Sequence, residues 1–202
     1  MTIDNIIQNF LQAQKVLDRF MSDPLTWTKL DIAGKLMVDA LNNGAKIISC
    51  GNGGSLCDAI HFAEELTGRF QENRRPIAAM TISDPAHITC VANDFGVDYI
   101  FSRTIEALGK PDDVLLAIST SGNSQNMINA IESARRIGIK VIGLTGKTGG
   151  KMAALCDVEI RAPDSEYSDR VQEIHIKVIH SLVNYIELEL GINRVKSASH
   201  LQ

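Results

Sequence analysis

The sequence predicts an α/β protein, a doubly wound five-stranded parallel sheet flanked by helices, with an extra helix at the N-terminus. Three observations carry that prediction. Short apolar runs alternate along the chain with longer segments of helical period, the mark of βαβ units. Two of those runs end in loops of Gly, Ser and Asn that lead straight into a helix. The 202 residues, 45% hydrophobic and 22% charged, suit one α/β domain with a core of its own.

The elements follow in order. Ile3, Ile6, Ile7, Phe10, Leu11, Leu17 and Phe20 recur at helical spacing and predict an amphipathic helix over residues 3–21. A second helical segment runs from Leu30 to Leu41. After Asn42-Asn43-Gly44 the period changes, and Lys46–Cys50 reads as a buried strand entering Gly51-Asn52-Gly53-Gly54-Ser55. Leu56–Leu66 is helical, Ile77–Ile82 a strand and Val97–Leu108 a helix. Asp113–Ile118 is the clearest strand, followed by Ser119-Thr120-Ser121-Gly122-Asn123-Ser124 and a helix over Gln125–Ile137. Lys140–Leu144 and Val158–Ile160 complete five strands, and Ser168–Leu190 is a long final helix. Residues 1–192 therefore form a single domain, with 193–202 expected to be a loose tail.

Composition narrows the function. The formal net charge is -4 and no basic cluster stands out, which argues against nucleic acid as a partner. The N-terminus has neither a basic leader nor an unbroken apolar stretch, and no run reaches membrane-spanning length. A cytoplasmic protein without a membrane partner is expected. Cys50, Cys57, Cys90 and Cys156 are scattered without a CxxC pair, so they read as buried free thiols.

The two Gly/Ser/Asn loops share one design. Glycine allows close backbone approach to a ligand, serine adds neutral donors, and the helix that follows points its free N–H groups at an anion. In a flavodoxin-like sheet of order 2-1-3-4-5, ligands bind at the switch point between the first and third strands. The two loops follow those strands, so a phosphorylated ligand would be received from both sides. Gly146-Lys147-Thr148 resembles the end of a P-loop, but Val141 stands where its first glycine is required; nor does a G-x-G-x-x-G follow any strand. ATP and NAD are not expected.

His61 and Glu65 are four apart and share one helix face just beyond the first loop. On the last helix, Gln172 and His180 lie close to the apolar stripe, where a histidine is ordinarily a satisfied core residue. His175 falls on a different face. Spacing alone leaves open whether either set is functional.

Taken together, Gly51–Ser55, His61–Arg69, Asn93-Asp94-Phe95-Gly96, Ser119–Ser124, Leu144–Lys147 and Gln172–His175 closely resemble the phosphoheptose isomerases, enzymes of the sugar isomerase (SIS) domain family. The match runs collinearly to about Leu190. The resemblance implies conversion of sedoheptulose 7-phosphate, a phosphorylated seven-carbon sugar, to D-glycero-D-manno-heptose 7-phosphate, a precursor of lipopolysaccharide core heptose. By position, it implies Ser55, Ser119, Ser121 and Ser124 as phosphate ligands, and Asn52, Gly53 and Gly54 as the loop against the substrate. Asn93, Asp94 and Thr120 would contact the sugar end or its loop. His61, Glu65, Gln172 and His180 would hold one zinc ion per site, with Gln172 also touching substrate and Glu65 and His180 also serving as base and acid. Leu56 occupies a position that can be polar in relatives.

The chemistry agrees. Moving a carbonyl between C2 and C1 through an enediol needs a base for a carbon-bound proton and an acid for the oxygen, roles that suit a carboxylate and an imidazole. A metal on the substrate oxygens would steady the developing negative charge. The alternative is a non-catalytic SIS module resembling the DnaA-associating replication-initiation protein, which would not be expected to keep Glu65 and His180. Helix geometry adds an expectation about assembly. Gln172 and His180 are eight residues apart, about 12 Å along a straight helix and roughly 80° around it. One of them is expected to reach the metal from a neighbouring subunit, unless Gln172 lies outside the helix. A symmetric homo-oligomer follows, most simply a tetramer.

Overall fold

Residues 2–192 are described by a computed structural model, in which the apolar runs pair side by side with their polar backbone groups joined. Among the described residues there are seven α-helices: α1 Thr2–Ser22, α2 Pro24–Asn42, α3 Gly54–Thr67, α4 Pro85–Asp94, α5 Ser102–Leu108, α6 Gln125–Ile137 and α7 Ser168–Glu189. The strands are β1 Ile47–Gly51, β2 Ala79–Thr81, β3 Val114–Ser119, β4 Lys140–Thr145 and β5 Val158–Arg161. All pairings are parallel and the order is β2-β1-β3-β4-β5, as the alternation predicts. No described helix is long and apolar enough to cross a membrane.

The central strands are apolar without a polar alternate because helices cover both faces. Ile47, Val114, Leu116, Ile118, Ile142 and Leu144 belong to the core under α1, α2, α3 and α7. Their neighbours Ile48, Cys50, Leu115, Ala117 and Val141 belong to a second core under α4, α5 and α6. Each of the Ile, Leu and Val side chains among them, fully buried, contributes about 1.5–3 kcal/mol.

Several boundaries differ from the sequence expectation. α2 begins at Pro24, not Leu30: Asp23 caps it by accepting from the Leu25 N–H at 3.0 Å, and proline occupies the first turn. α4 was not anticipated, although Asp84-Pro85 carries the same signal, with the Asp84 carboxylate accepting from the His87 N–H at 2.7 Å. The expected helix over 97–108 is a 3₁₀ turn, Val97–Tyr99, followed by α5. The thiols also differ. Cys50 is buried, which pushes its thiol up to about 12, but Cys156 is only half-buried and Cys57 and Cys90 stand on exposed positions of α3 and α4. The expected loose tail, 193–202, lies outside the described residues.

The core histidine is His175, contrary to the spacing argument. It is 1% exposed, and its Nε2–H donates to the Thr145 carbonyl at 2.9 Å. His180, expected to be the core residue, is half-buried. The apolar stripe of α7 is wide enough to take in both faces, since sheet and neighbouring helices enclose it. Burial lowers His175 to about 4, the Thr145 bond opposing weakly. The folded state therefore binds fewer protons than the unfolded one between about pH 6.5 and 4. Stability from this group is complete above that window and is lost as pH falls through it. Wild type should lose about 2 kcal/mol more than His175→Gln between pH 7 and pH 5. Urea unfolding of both proteins at the two pH values measures this, and parallel losses would contradict it. Asp58, lifted by burial to about 6, acts with the opposite sign but equally in both proteins.

Candidate active site

The register of β1 on β3 decides where the two loops lie. Gly51 pairs with Ile118, so the strands end together and the loops leave side by side at the switch point. Asn52 and Asn126 join them through a reciprocal amide pair, each Nδ2 donating to the other's Oδ1 at 2.9 Å. Asn126, 5% exposed in the first turn of α6, was missed in the sequence because a lone Asn after a Ser/Gly loop carries no signal of its own.

The helices that follow the loops have no side-chain cap. α3 is preceded by Gly53, and α6 by Ser124, whose hydroxyl caps nothing. By contrast, α2 and α4 spend an aspartate on that task. The N-termini at the switch point thus keep the electrostatic character that favours an anion. Ser55 is buried at the head of α3, and Ser119 Oγ accepts from the Gly122 N–H at 3.2 Å while its own proton remains to be donated. Ser121 Oγ accepts from the Asn123 N–H. Half-buried Thr120 lies between these serines, its carbonyl close against Gly146.

Two turns further along α3, His61 meets α7. His61 Nε2 lies 2.9 Å from His180 Nε2 and 3.2 Å from Glu65 Oε1. Ligand atoms of His61, Glu65 and His180 all fall within 4.8 Å of one another, so the three could hold a metal ion. Phe70 lies against His180, ring centroids 5.7 Å apart. Glu64 Oε2, 3.5 Å from His61 Nδ1, helps to orient that ring so that Nε2 faces the cluster.

Gln172 does not join them. It sits inside α7, at the N-terminal end of the α3–α7 contact, where a Cβ added to Gly54 would stand 2.3 Å from its Nε2. The amide therefore occupies the space that a side chain at 54 would need. Asn93 and Asp94 are also apart from the cluster: they are exposed at the end of α4, Asn93 Nδ2 donating to Asp94 Oδ1 at 2.7 Å.

Comparison with known proteins fixes the family. The SIS domain family matches residues 10–146. The phosphoheptose isomerase of Tolumonas auensis is 57% identical over 187 residues, covering 93% of this chain and 97% of that protein. That of Vibrio cholerae is 54% identical over 188 residues, covering 93% and 98%.

The chain belongs to the phosphoheptose isomerase family.

The solved phosphoheptose isomerase of Neisseria gonorrhoeae superposes with a TM-score of 0.86 at 36% identity, covering 93% of this chain and all of that one. The donor set of this cluster, two imidazole nitrogens and a carboxylate oxygen, is of a kind that could hold a metal ion such as zinc. Tetrahedral ligands at about 2.0–2.1 Å from zinc stand about 3.3 Å apart. The observed separations of 2.9 and 3.2 Å are close to that. Asp58, one turn before His61, is a further group that the sequence reading passed over; its Oδ2 is buried without a hydrogen-bond partner among the described residues.

Proposed function

We propose that the chain is an aldose–ketose isomerase that converts sedoheptulose 7-phosphate to D-glycero-D-manno-heptose 7-phosphate in the cytoplasm. The observation that carries this reading is a carboxylate–imidazole cluster two turns along α3 from the first of two adjoining uncapped Gly/Ser/Asn loops, with His180 brought to it by α7. Gly54 and His61 are seven residues apart, about 10 Å of helix. A seven-carbon chain extended from C1 to C7 measures about 8 Å at ordinary C–C bond lengths. Anchored by its phosphate at Ser55, Ser119, Ser121 and Ser124, such a sugar reaches Glu65 and His180 with its carbonyl end. Gly53, Gly54, Asn52 and Gln172 lie alongside, and Thr120, Asn93 and Asp94 are assigned to the rim.

In the mechanism, Glu65 takes the proton from C1 of the ketose and His180 delivers one to the C2 oxygen, giving the enediol. Return of a proton to C2 and loss of the O1 proton complete the aldose, so hydrogen is conserved throughout. Zinc held by His61, Glu65 and His180, and completed by Gln172, would supply positive charge beside the substrate oxygens. Gln172 of the same chain is turned to Gly54, so the fourth ligand is assigned to a neighbouring subunit. The apolar face of α1 supports assembly, with Ile3 67%, Phe10 75% and Ile6 52% exposed in the single chain. A homotetramer is the simplest closed arrangement. The thiols of Cys57 and Cys90, free and exposed, suit a reducing cytoplasm.

Incubation with sedoheptulose 7-phosphate should yield an aldose 7-phosphate, and recovery of unchanged ketose by zinc-loaded protein would defeat the reading. Ser124→Ala should weaken substrate about ten-fold without disturbing the loop, since that hydroxyl makes no internal bond among the described residues. Ser119→Ala should weaken it at least as much, because Gly122 also loses its acceptor. Isothermal titration of both variants tests this; wild-type affinity in both would place the phosphate elsewhere.

A further inference from the structure

We propose that Arg74 is a positioning residue that sets the register of α3 on α7, and through it the approach of Glu65 to His180. This rests on the assignment of those two residues to the reaction. α3 ends at Thr67, leaving carbonyls without helical partners. Arg74, from the irregular segment that follows, fills that gap. Its Nη2 donates to the Glu65 carbonyl and its Nη1 to the Leu66 carbonyl at 2.8 Å, with a longer bond to the Gly68 carbonyl at 3.2 Å. Its Nε donates to Glu187 Oε1 on α7, and both side chains are 0% exposed.

The placement of Glu187 matters. It follows His180 by seven residues, two turns of helix, and so lies on the same stripe of α7. The stripe thus meets α3 twice: through His180 at the cluster, and about 10 Å away through Glu187 and Arg74. The apolar contacts between the helices are non-directional and resist a small slide poorly. A buried fork with fixed geometry resists it well. Arg74 also anchors the segment that carries Phe70, the ring that lies against His180.

Three variants test the proposal. Arg74→Lys keeps the charge but cannot reach several carbonyls at once. The double variant Arg74→Met with Glu187→Met removes both buried charges, so no orphan carboxylate remains to unfold it. Glu187→Gln keeps an acceptor for Nε and removes only the charge. Arg74→Lys and the double variant should lower kcat, and zinc affinity in competition with a chelator, by about 10–100-fold, as losses behind metal ligands do. KM should change less than about three-fold, because the phosphate loops are not touched. Glu187→Gln should retain wild-type values. Wild-type kcat and zinc affinity in a folded double variant would overturn the proposal. So would equal losses in Glu187→Gln and Arg74→Lys, which would make the charge, not the fork, decisive. If the double variant does not fold, Arg74→Lys decides. Should Glu65→Gln itself turn over normally, the catalytic assignment fails, and zinc affinity alone judges the clamp.

Discussion

Glu65→Gln is expected to fold normally and to lose proton removal from the substrate carbon, with turnover falling about 10²–10⁴-fold. Glutamine has nearly the same shape, and the side chain at 65 is only 13% exposed, so the packing around it is retained. Its amide can still meet His61, 3.2 Å from the present carboxylate oxygen. It cannot accept a proton from carbon, and it is a poorer donor to a metal than a carboxylate. Solvent-deuterium exchange at the substrate carbon reads the proton step directly, apart from product release. The melting temperature should stay at the wild-type value. Near-normal exchange in the variant would remove Glu65 from the role of base.

Mixing two inactive variants should restore activity, and which pair does so follows from the cluster. Glu65 and His180 meet within one chain, so Glu65→Gln and His180→Ala chains would not rescue each other's clusters. Gln172 is the residue assigned to the neighbour. A Gln172→Ala chain keeps an intact His61, Glu65 and His180, while a Glu65→Gln chain keeps an intact Gln172. After reversible dissociation and random reassembly in equal amounts, about a quarter of the sites would combine both intact parts. Activity should rise from near zero to about that fraction. Unmixed variants carried through the same cycle should stay inactive. No recovery in assembled hybrids would confine Gln172 to its own chain, beside Gly54. A monomer in sedimentation would defeat the shared site altogether.

The sheet was legible because its strands are short, apolar and bounded by turn residues, and helices on both faces remove any need for polar alternates. α6 was read to the residue, since Ser124 precedes it and Gly138 follows in the left-handed conformation that ends a helix. α4 was missed because it buries only Val91 and so lacks an apolar stripe, although Asp84-Pro85 marked its start. The histidines of α7 were misplaced for the opposite reason. A helix enclosed on several sides buries more than one stripe, and periodicity then no longer says which face a single polar residue occupies. Arg74 left no trace, because an arginine in an irregular segment looks solvated until the helix end it caps is known.

The sequence by itself determined the α/β class, the strand order, the two Gly/Ser/Asn loops after β1 and β3, and the adjacency of His61 and Glu65 on one helix. These follow from local periodicity and from the few ways βαβ units can be wound. Only the tertiary structure decided that His180 completes the cluster and Gln172 stands apart at Gly54. It also showed Asn126 tying the loops together, and His175, not His180, as the buried neutral imidazole. The Asn126 tie follows the register of β1 on β3, whereas the places of His180 and Gln172 depend on how far along α3 the helix α7 is set down. That offset is fixed by packing and by the buried Arg74–Glu187 pair, between residues more than a hundred positions apart in the chain.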